Sequence, residues 1–161
     1  MPPIVYVTSH IHVDGPIPGP HSLLTLAATA HLESGAGGGP ISTFRVNVRE
    51  LPGATPHPVS LRTWRERPDD WLTTRRGSRP PAVAMSAFTR WISGLPGEPT
   101  FVADPVDADY PFLYWYLQRF TGRWPFARHR TDTDLHAALT RATGCPLSGC
   151  RIPAPVLART S

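Results

Sequence analysis

Lysine is absent from this chain, and all 16 of its basic residues are arginine. Together with 20 prolines, this bias is typical of a high-GC bacterial genome, so it does not indicate selection for arginine chemistry. Cysteine is scarce as well. Cys145 and Cys150 are separated by four residues, a spacing that fits neither a zinc ribbon nor a secreted disulfide framework. Signal-peptide features and apolar runs of membrane-spanning length are also missing, so we expect a cytoplasmic protein without membrane contact.

The length and composition indicate a single folded domain. The chain has 161 residues, of which 40% are hydrophobic and 9% aromatic, enough to bury a core. A net charge of +4 and a pI near 9.7 allow an anionic partner but do not require one. Acidic residues lie among the arginines of the stretch 62–79, which indicates a solvated helical face rather than a nucleic-acid-binding stripe. We therefore expect one domain over residues 1–161.

Alternating patterns predict a three-stranded meander in the first third of the chain. Strands are expected over residues 4–12, 21–31 and 41–48. The glycine-rich tract 35–40 predicts a hairpin loop between the second and third strands, because glycine tolerates positive φ. The chain therefore begins with three neighbouring strands.

Helical spacing dominates the middle of the chain. Prolines and a glycine in residues 51–58 predict a crossing loop ahead of it. From Ala137 the pattern fades, and residues 143–161 are predicted to be an irregular tail. Helices around a further strand, after a meander, are typical of an α/β domain with a mixed sheet. The predicted elements are helices over 59–67, 69–76 (capped by Asp69 or Asp70), 82–95 and 110–120, and a strand over 100–103.

Two histidines stand at alternate positions of the first predicted strand. Because side chains alternate across a strand, His10 and His12 are expected to point to the same face. Imidazole pairs suit zinc, iron, copper or nickel. Two imidazoles on one face can instead act as a general acid and a general base without a metal. A third interpretation is that the two histidines have no role.

The segment around these histidines resembles a known motif. It reads HIHVDGPIPG from His10 to Gly19. This is similar to the first motif of the DnaQ-like (DEDD) 3'-5' exonucleases, whose fold is of the ribonuclease H type. In a subgroup of that family the motif reads Asp-x-Glu-Thr-Asp-Gly-Pro-x-Pro-Gly, and its first Asp and Glu hold two magnesium ions. Here His10 and His12 occupy those two positions.

The resemblance extends over residues 4–143. The segment 101–110 looks like the family's second motif, in which an Asp at the start of a helix binds metal, and Asp109 matches that ligand. Asp132 matches an Asp that relatives carry after a Pro-Phe pair. The His and Asp of the family's last motif have no counterpart before Ser161. The resemblance implies a ribonuclease H-like α/β fold, with a mixed sheet and flanking helices, truncated at the C-terminus.

Magnesium-dependent 3'-5' exonuclease activity is not expected from these residues, because two-metal hydrolysis needs several carboxylates. The candidate catalytic residues are His10, His12 and Asp109. The same three are the candidate ligands of one divalent transition metal (zinc, iron or manganese), and a site without a metal stays open. The alternative role of Asp109 is that of a helix N-cap. The candidate substrate-binding residues are Asp14, Tyr110 and Asp132, although Asp14 also suits the turn that follows it.

We expect an enzyme with a remodelled active site that acts on a small-molecule or nucleotide-like substrate in specialised metabolism. The alternative is a catalytically inactive exonuclease relative that binds nucleic acid or a protein partner. Nucleic acid is not the favoured partner. A homodimer stays open, since loss of the family's terminal helix would expose apolar surface. An enclosed aromatic pocket would favour the enzyme, and an open basic groove would favour nucleic-acid binding.

Overall fold

The computed structural model describes residues 2–35 and 39–143. Within these residues a five-stranded sheet carries helices on both faces. Predictions for residues 36–38 and for the tail from residue 144 fall outside them. The elements are β1 (Ile4–Val13), β2 (Leu23–Leu32), a short 3-10 turn (Glu33–Gly35), β3 (Ser42–Asn47), α1 (Pro58–Arg65), α2 (Pro68–Arg75), α3 (Pro81–Ser93), β4 (Glu98–Ala103), α4 (Asp109–Thr121), β5 (Arg128–Thr131) and α5 (Thr133–Thr143).

β1 occupies the centre of the sheet, whose strand order is β3-β2-β1-β4-β5. β1, β2 and β3 pair in antiparallel fashion, which confirms the predicted meander. β4 runs parallel to β1, with Val7 opposite Phe101, and β5 runs parallel to β4. The carboxyl ends of β1, β4 and β5 therefore lie at the same edge of the sheet. Ligands of α/β sheets bind outside such carboxyl ends.

Successive residues of β1 contribute to two different apolar clusters. Val5 and Val7 are fully buried in the main core, together with side chains of α3 and α4. On the other face Tyr6 packs with Val102 of β4 and Leu139 of α5. Burying an aliphatic or aromatic side chain contributes about 1.5–3 kcal/mol. The small second cluster therefore attaches α5 to the sheet.

Helix α5 is the main difference between the predicted and the observed elements. The pattern fades from Ala137, yet the helix continues to Thr143. Its apolar contacts come from Leu135 and Leu139, too few for the helical period to stand out in the sequence. Two contacts stabilise the helix instead. Leu139 is fully buried against the sheet, and Asp132 caps the helix because its Oδ1 accepts the Leu135 N–H at 2.9 Å.

The predicted cap of α2 is wrong, and Asp109 does not take the alternative role of an N-cap. Arg67 precedes α2 and makes no capping hydrogen bond with its side chain. Asp69 and Asp70 lie inside the first turn, where carboxylates still interact favourably with the helix dipole. Ala108 precedes α4, so Asp109 is the first residue of that helix and not its N-cap.

The lengths of the helices bear on membrane insertion. A membrane-spanning helix needs about 20 mostly apolar residues. α3 and α4 have 13 residues each. No helix in the described parts of the chain is long and apolar enough to cross a membrane.

Candidate functional site

His10 and His12 lie near the carboxyl end of β1. His10 is opposite Ala27 of β2 and His12 is opposite Thr25, in a register whose first irregularity comes after His12. Regular pairing means that side chains alternate, so both imidazoles lie on the same face of the strand. We call this side the histidine face of β1. Ser9 belongs to the opposite face.

The two histidines have different neighbours. His12 is buried, with 5% of its surface exposed, and the centroid of its ring lies 5.4 Å from that of Trp64 in α1. His10 is half-buried, and its ring centroid lies 6.4 Å from that of His136 in α5. The histidine face therefore extends from α1 to α5.

Two carboxylates and an imidazole converge beside His10. Asp104 follows β4, Asp107 lies in the turn before α4, and His136 lies in α5. One donor atom of each lies within 4.8 Å of the other two. The Asp107 N–H donates to the Asp104 carbonyl at 3.1 Å, which closes the turn that carries both carboxylates. We call these three residues the Asp-Asp-His cluster.

Asp109 is held on the Ser9 side of β1. The Ser9 hydroxyl donates to Asp109 Oδ2 at 2.8 Å. Burial raises the pKa of Asp109 to about 7, the Ser9 hydrogen bond opposes this rise, and the nearby carboxylates of Asp107 and Asp104 reinforce it. This carboxyl group is therefore partly protonated near neutral pH.

The predicted ligand set is His10, His12 and Asp109, and its role in metal binding stays a prediction. Among residues 2–35 and 39–143, the Asp-Asp-His cluster is the group of three donors that converges, and it shares no member with the predicted set. Ser9, which donates to Asp109, lies on the opposite face of β1 from both histidines. The catalytic roles of the three residues stay predictions.

His10 has the properties of a neutral imidazole. Burial lowers its pKa, and the nearby His136 lowers it further. Its Nε2 atom is closed off from solvent and has no hydrogen-bond partner among the described residues. Neutral imidazole is the form that accepts a proton or binds a metal.

A cavity of about 400 Å³ adjoins His12 through Trp64. The Trp64 Nε1–H donates to the Val13 carbonyl at 3.1 Å, which fixes the indole between the cavity and the histidine. Trp71 of α2 forms a second aromatic wall. We call this cavity the tryptophan pocket. It is lined by Asp14, Pro56, Leu61, Trp64, Arg65, Pro68 and Trp71.

Asp14, predicted to bind substrate, lies at this pocket. Its carboxylate accepts the Ser22 N–H at 2.6 Å, a bond that joins the two ends of the loop between β1 and β2. Burial raises the pKa of Asp14, against the opposing effect of the Ser22 bond. The side chain therefore shapes its loop and also lines a cavity.

The other two predicted substrate-binding residues have contacts elsewhere. The Tyr110 ring lies 4.2 Å from the His129 ring, between centroids, and also contacts Trp124. Asp132 caps α5 and forms an ion pair with Arg130 at 2.8 Å. Neither residue lines the tryptophan pocket. Their roles in substrate binding stay predictions.

Comparison with solved structures shows which fold this geometry belongs to. The chain is similar to Escherichia coli exonuclease I, crystallised with single-stranded DNA in a zinc-bound form, with a TM-score of 0.59. The fold is ribonuclease H-like. Sequence identity is 11%, and the match covers 80% of this chain and 27% of that one, so the likeness extends to the fold alone. No protein-family model and no curated protein matches the sequence.

Sequence reasoning missed the members of the Asp-Asp-His cluster and the two pocket tryptophans. One sequence signal was available. A buried strand is followed within six residues by Asp104, Asp107 and Asp109, and ligands bind outside the carboxyl ends of parallel strands. No local signal marks His136, because it lies in the helix that the pattern did not reveal. Trp64 and Trp71 are seven residues apart, but on two separate helices.

Proposed function

We propose that this protein is an enzyme that binds a small, nucleotide-like molecule in the tryptophan pocket and acts on it at the histidine face of β1. The proposal is carried by one observation: Trp64 is both a wall of the pocket and a ring neighbour of His12. Small-molecule sites are mostly apolar cavities of about 300–1,000 Å³ with a few polar groups. A cavity of about 400 Å³ agrees with that description.

The pocket lining suits a planar ring with an anionic substituent. The Trp64 and Trp71 rings lie 5.7 Å apart, inclined by 58°. Stacking of a base on such a ring contributes about 1–3 kcal/mol. The exposed Arg65 guanidinium can pair with a phosphate or carboxylate, and the Asp14 carboxylate accepts ring N–H or hydroxyl donors. The structural neighbour was solved with single-stranded DNA, whose bases are planar rings.

His12 and His10 supply the acid–base chemistry of the proposed site. Residues two apart in a strand have Cα atoms about 6.6 Å from each other, so a substrate of nucleotide size at the histidine face is long enough to contact both imidazoles. One imidazole removes a proton while the other donates one, which typically accelerates a reaction by about 10²–10⁴-fold. This division of roles needs neither first-strand carboxylate of the exonuclease motif.

Binding of nucleoside 5'-monophosphates tests the proposal. Calorimetric titration of adenosine, guanosine, cytidine and uridine 5'-monophosphates into the wild-type protein should detect 1:1 binding of at least one of them. Trp71→Ala should weaken that binding roughly tenfold or more, because it removes a stacking surface.

Trp91→Ala is the matched control, since Trp91 is also a half-buried helical tryptophan but packs against Phe44 and Phe88. The affinity of the Trp91→Ala variant for the nucleotide should equal that of the wild type. No binding of any of the four nucleotides, or equal binding by Trp71→Ala and wild type, would contradict the proposal.

One observation favours the second candidate, an inactive relative that binds nucleic acid. An open, polar cleft of about 340 Å³ lies beside the edge strand β3, and Arg45, Arg76 and Arg79 line it. Arginines on an open surface attract phosphates. Titration of octadeoxythymidylate at low and high salt separates the two functions. An affinity that is unchanged in the Trp71→Ala variant but falls steeply with salt supports nucleic-acid binding instead.

A further inference from the structure

We propose that the Asp-Asp-His cluster of Asp104, Asp107 and His136 binds a single divalent transition-metal ion beside His10. The cluster shares no residue with the tryptophan pocket. The proposal therefore stands or fails separately from the proposed function. It also differs from the ligand set that the exonuclease motif implies, which involves residues 10, 12 and 109.

The donor geometry is close to that of an occupied site. Zinc binds imidazole nitrogen and carboxylate oxygen at about 2.0–2.2 Å, so donors around one ion lie about 3–4 Å apart. The donor atoms of the cluster are within 4.8 Å of one another.

The backbone holds the three donors in place. Asp104 and Asp107 belong to one turn, in which the Val106 N–H also donates to Asp104 Oδ1 at 3.1 Å. His136 lies one turn into α5, and its N–H donates to the Asp132 carbonyl at 3.0 Å. The His136 side chain is 7% exposed. A buried, well-positioned imidazole loses little conformational freedom when it binds a metal.

His10 is the independent sign of a ligand at this place. Its Nε2 atom is buried without a hydrogen-bond partner among the described residues, and its ring neighbours His136. Leaving a buried polar atom unpaired costs about 1–3 kcal/mol. A metal ion, or a water molecule bound to it, would supply the partner that this nitrogen lacks.

The donor types favour zinc or manganese over magnesium. Magnesium prefers a shell made of oxygen atoms, whereas imidazole suits zinc and other transition metals. Three protein ligands leave at least one coordination position for water or substrate, as in catalytic zinc sites. His10 is the ring neighbour of His136, and its Nε2 atom, which has no hydrogen-bond partner among the described residues, could accept a proton from water bound to such an ion.

Metal titration of the chelator-treated, tag-free full chain tests the site. Calorimetry should show one Zn²⁺ per chain, and one Mn²⁺ that binds more tightly than Mg²⁺. Co²⁺ should give visible absorption of nitrogen and oxygen coordination without a thiolate charge-transfer band. Asp107→Asn should weaken Zn²⁺ binding by about tenfold or more, while the melting temperature of the metal-free protein stays unchanged because Asp107 is exposed.

Two control variants make the result specific. Asp69→Asn removes another exposed carboxylate and should bind Zn²⁺ as the wild type does. His12→Gln removes a ligand of the motif-implied set and should also leave Zn²⁺ affinity unchanged. The proposal would be overturned if the wild type bound almost no Zn²⁺, or if Asp107→Asn bound it as tightly as the wild type. Loss of Zn²⁺ binding in His12→Gln, with binding retained in Asp107→Asn, would also overturn it.

Discussion

His31 is a fully buried histidine of β2. Its side chain is 0% exposed, and neither ring nitrogen is hydrogen-bonded among the described residues. Burial lowers the pKa of His31. The His31 side chain takes up a proton near the ordinary pKa of about 6.5 in the unfolded chain, and only at a lower pH in the folded chain. Because the unfolded state then binds more protons, stability falls as the pH drops below that value.

We predict that His31→Leu reduces the acid sensitivity of the fold. Between about pH 7.5 and pH 5.5, the loss of unfolding free energy should be smaller than in the wild type by up to about 1 kcal/mol. Urea denaturation followed by circular dichroism measures this difference. At the higher pH the variant should be at least as stable, since an unpaired buried nitrogen is replaced by an apolar group of similar volume. Parallel pH dependences for the two proteins would contradict this account.

Single residues also show how far the site could be predicted. A period of two is enough to place His10 and His12 on one face, because that depends only on neighbouring positions. Their partners could not be predicted in the same way. His136 is 126 residues along the chain from His10, and its approach depends on how α5 packs. The expected partner Asp109 matched a motif, and its carboxylate accepts a hydrogen bond from Ser9, a residue of the opposite face of β1.

Among the elements, α4 illustrates how one glycine ends a helix. Gly122 follows α4 with φ of 75°, in the left-handed region, and its N–H donates to the Leu117 and Gln118 carbonyls. A side chain is strained in this conformation, whereas glycine adopts it freely. Gly94 follows α3, a helix of the same length, but has φ of −86°. The two glycines therefore form a matched pair.

We predict that Gly122→Ala lowers the free energy of unfolding by about 1 kcal/mol and that Gly94→Ala leaves it nearly unchanged or raises it slightly. A Cβ at Gly122 meets no atom within 4 Å, and one at Gly94 makes ordinary contacts, so packing does not confuse the comparison. Chemical denaturation of both variants measures the difference. Equal effects of the two substitutions would show that backbone conformation is not the cause.

The strength of the local sequence pattern explains which elements could be predicted. β1 to β3 were predictable because alternation is strong and a glycine-rich loop separates β2 from β3. α3 was predictable because Met85, Phe88 and Ile92 recur at helical spacing, and all three are buried. α5 was not predictable, because Leu139 is the one fully buried residue among its described side chains, and its partners Tyr6 and Val102 come from β1 and β4.

At the scale of the molecule, the ribonuclease H-like sheet has two separate groups of side chains beside its histidine face. The tryptophan pocket lies against His12, and the Asp-Asp-His cluster lies against His10. Both depend on elements that are distant in sequence but meet at the carboxyl ends of β1 and β4. A fold can keep its sheet while its ligands change, since fold alone does not determine function.

We predict that magnesium-dependent 3'-5' exonuclease activity is absent or very weak. Two-metal hydrolysis needs carboxylates that hold two magnesium ions about 3.5–4 Å apart. Imidazoles at positions 10 and 12 carry no negative charge and cannot replace those carboxylates, and the remaining Asp109 has a pKa of about 7, so part of it is uncharged near neutral pH. Digestion of 5'-labelled single-stranded DNA by tag-free protein with Mg²⁺ measures the activity. Asp109→Asn separates intrinsic activity from a contaminating nuclease: digestion by the wild type that disappears in this variant would refute the prediction, and digestion that persists in both would come from the contaminant.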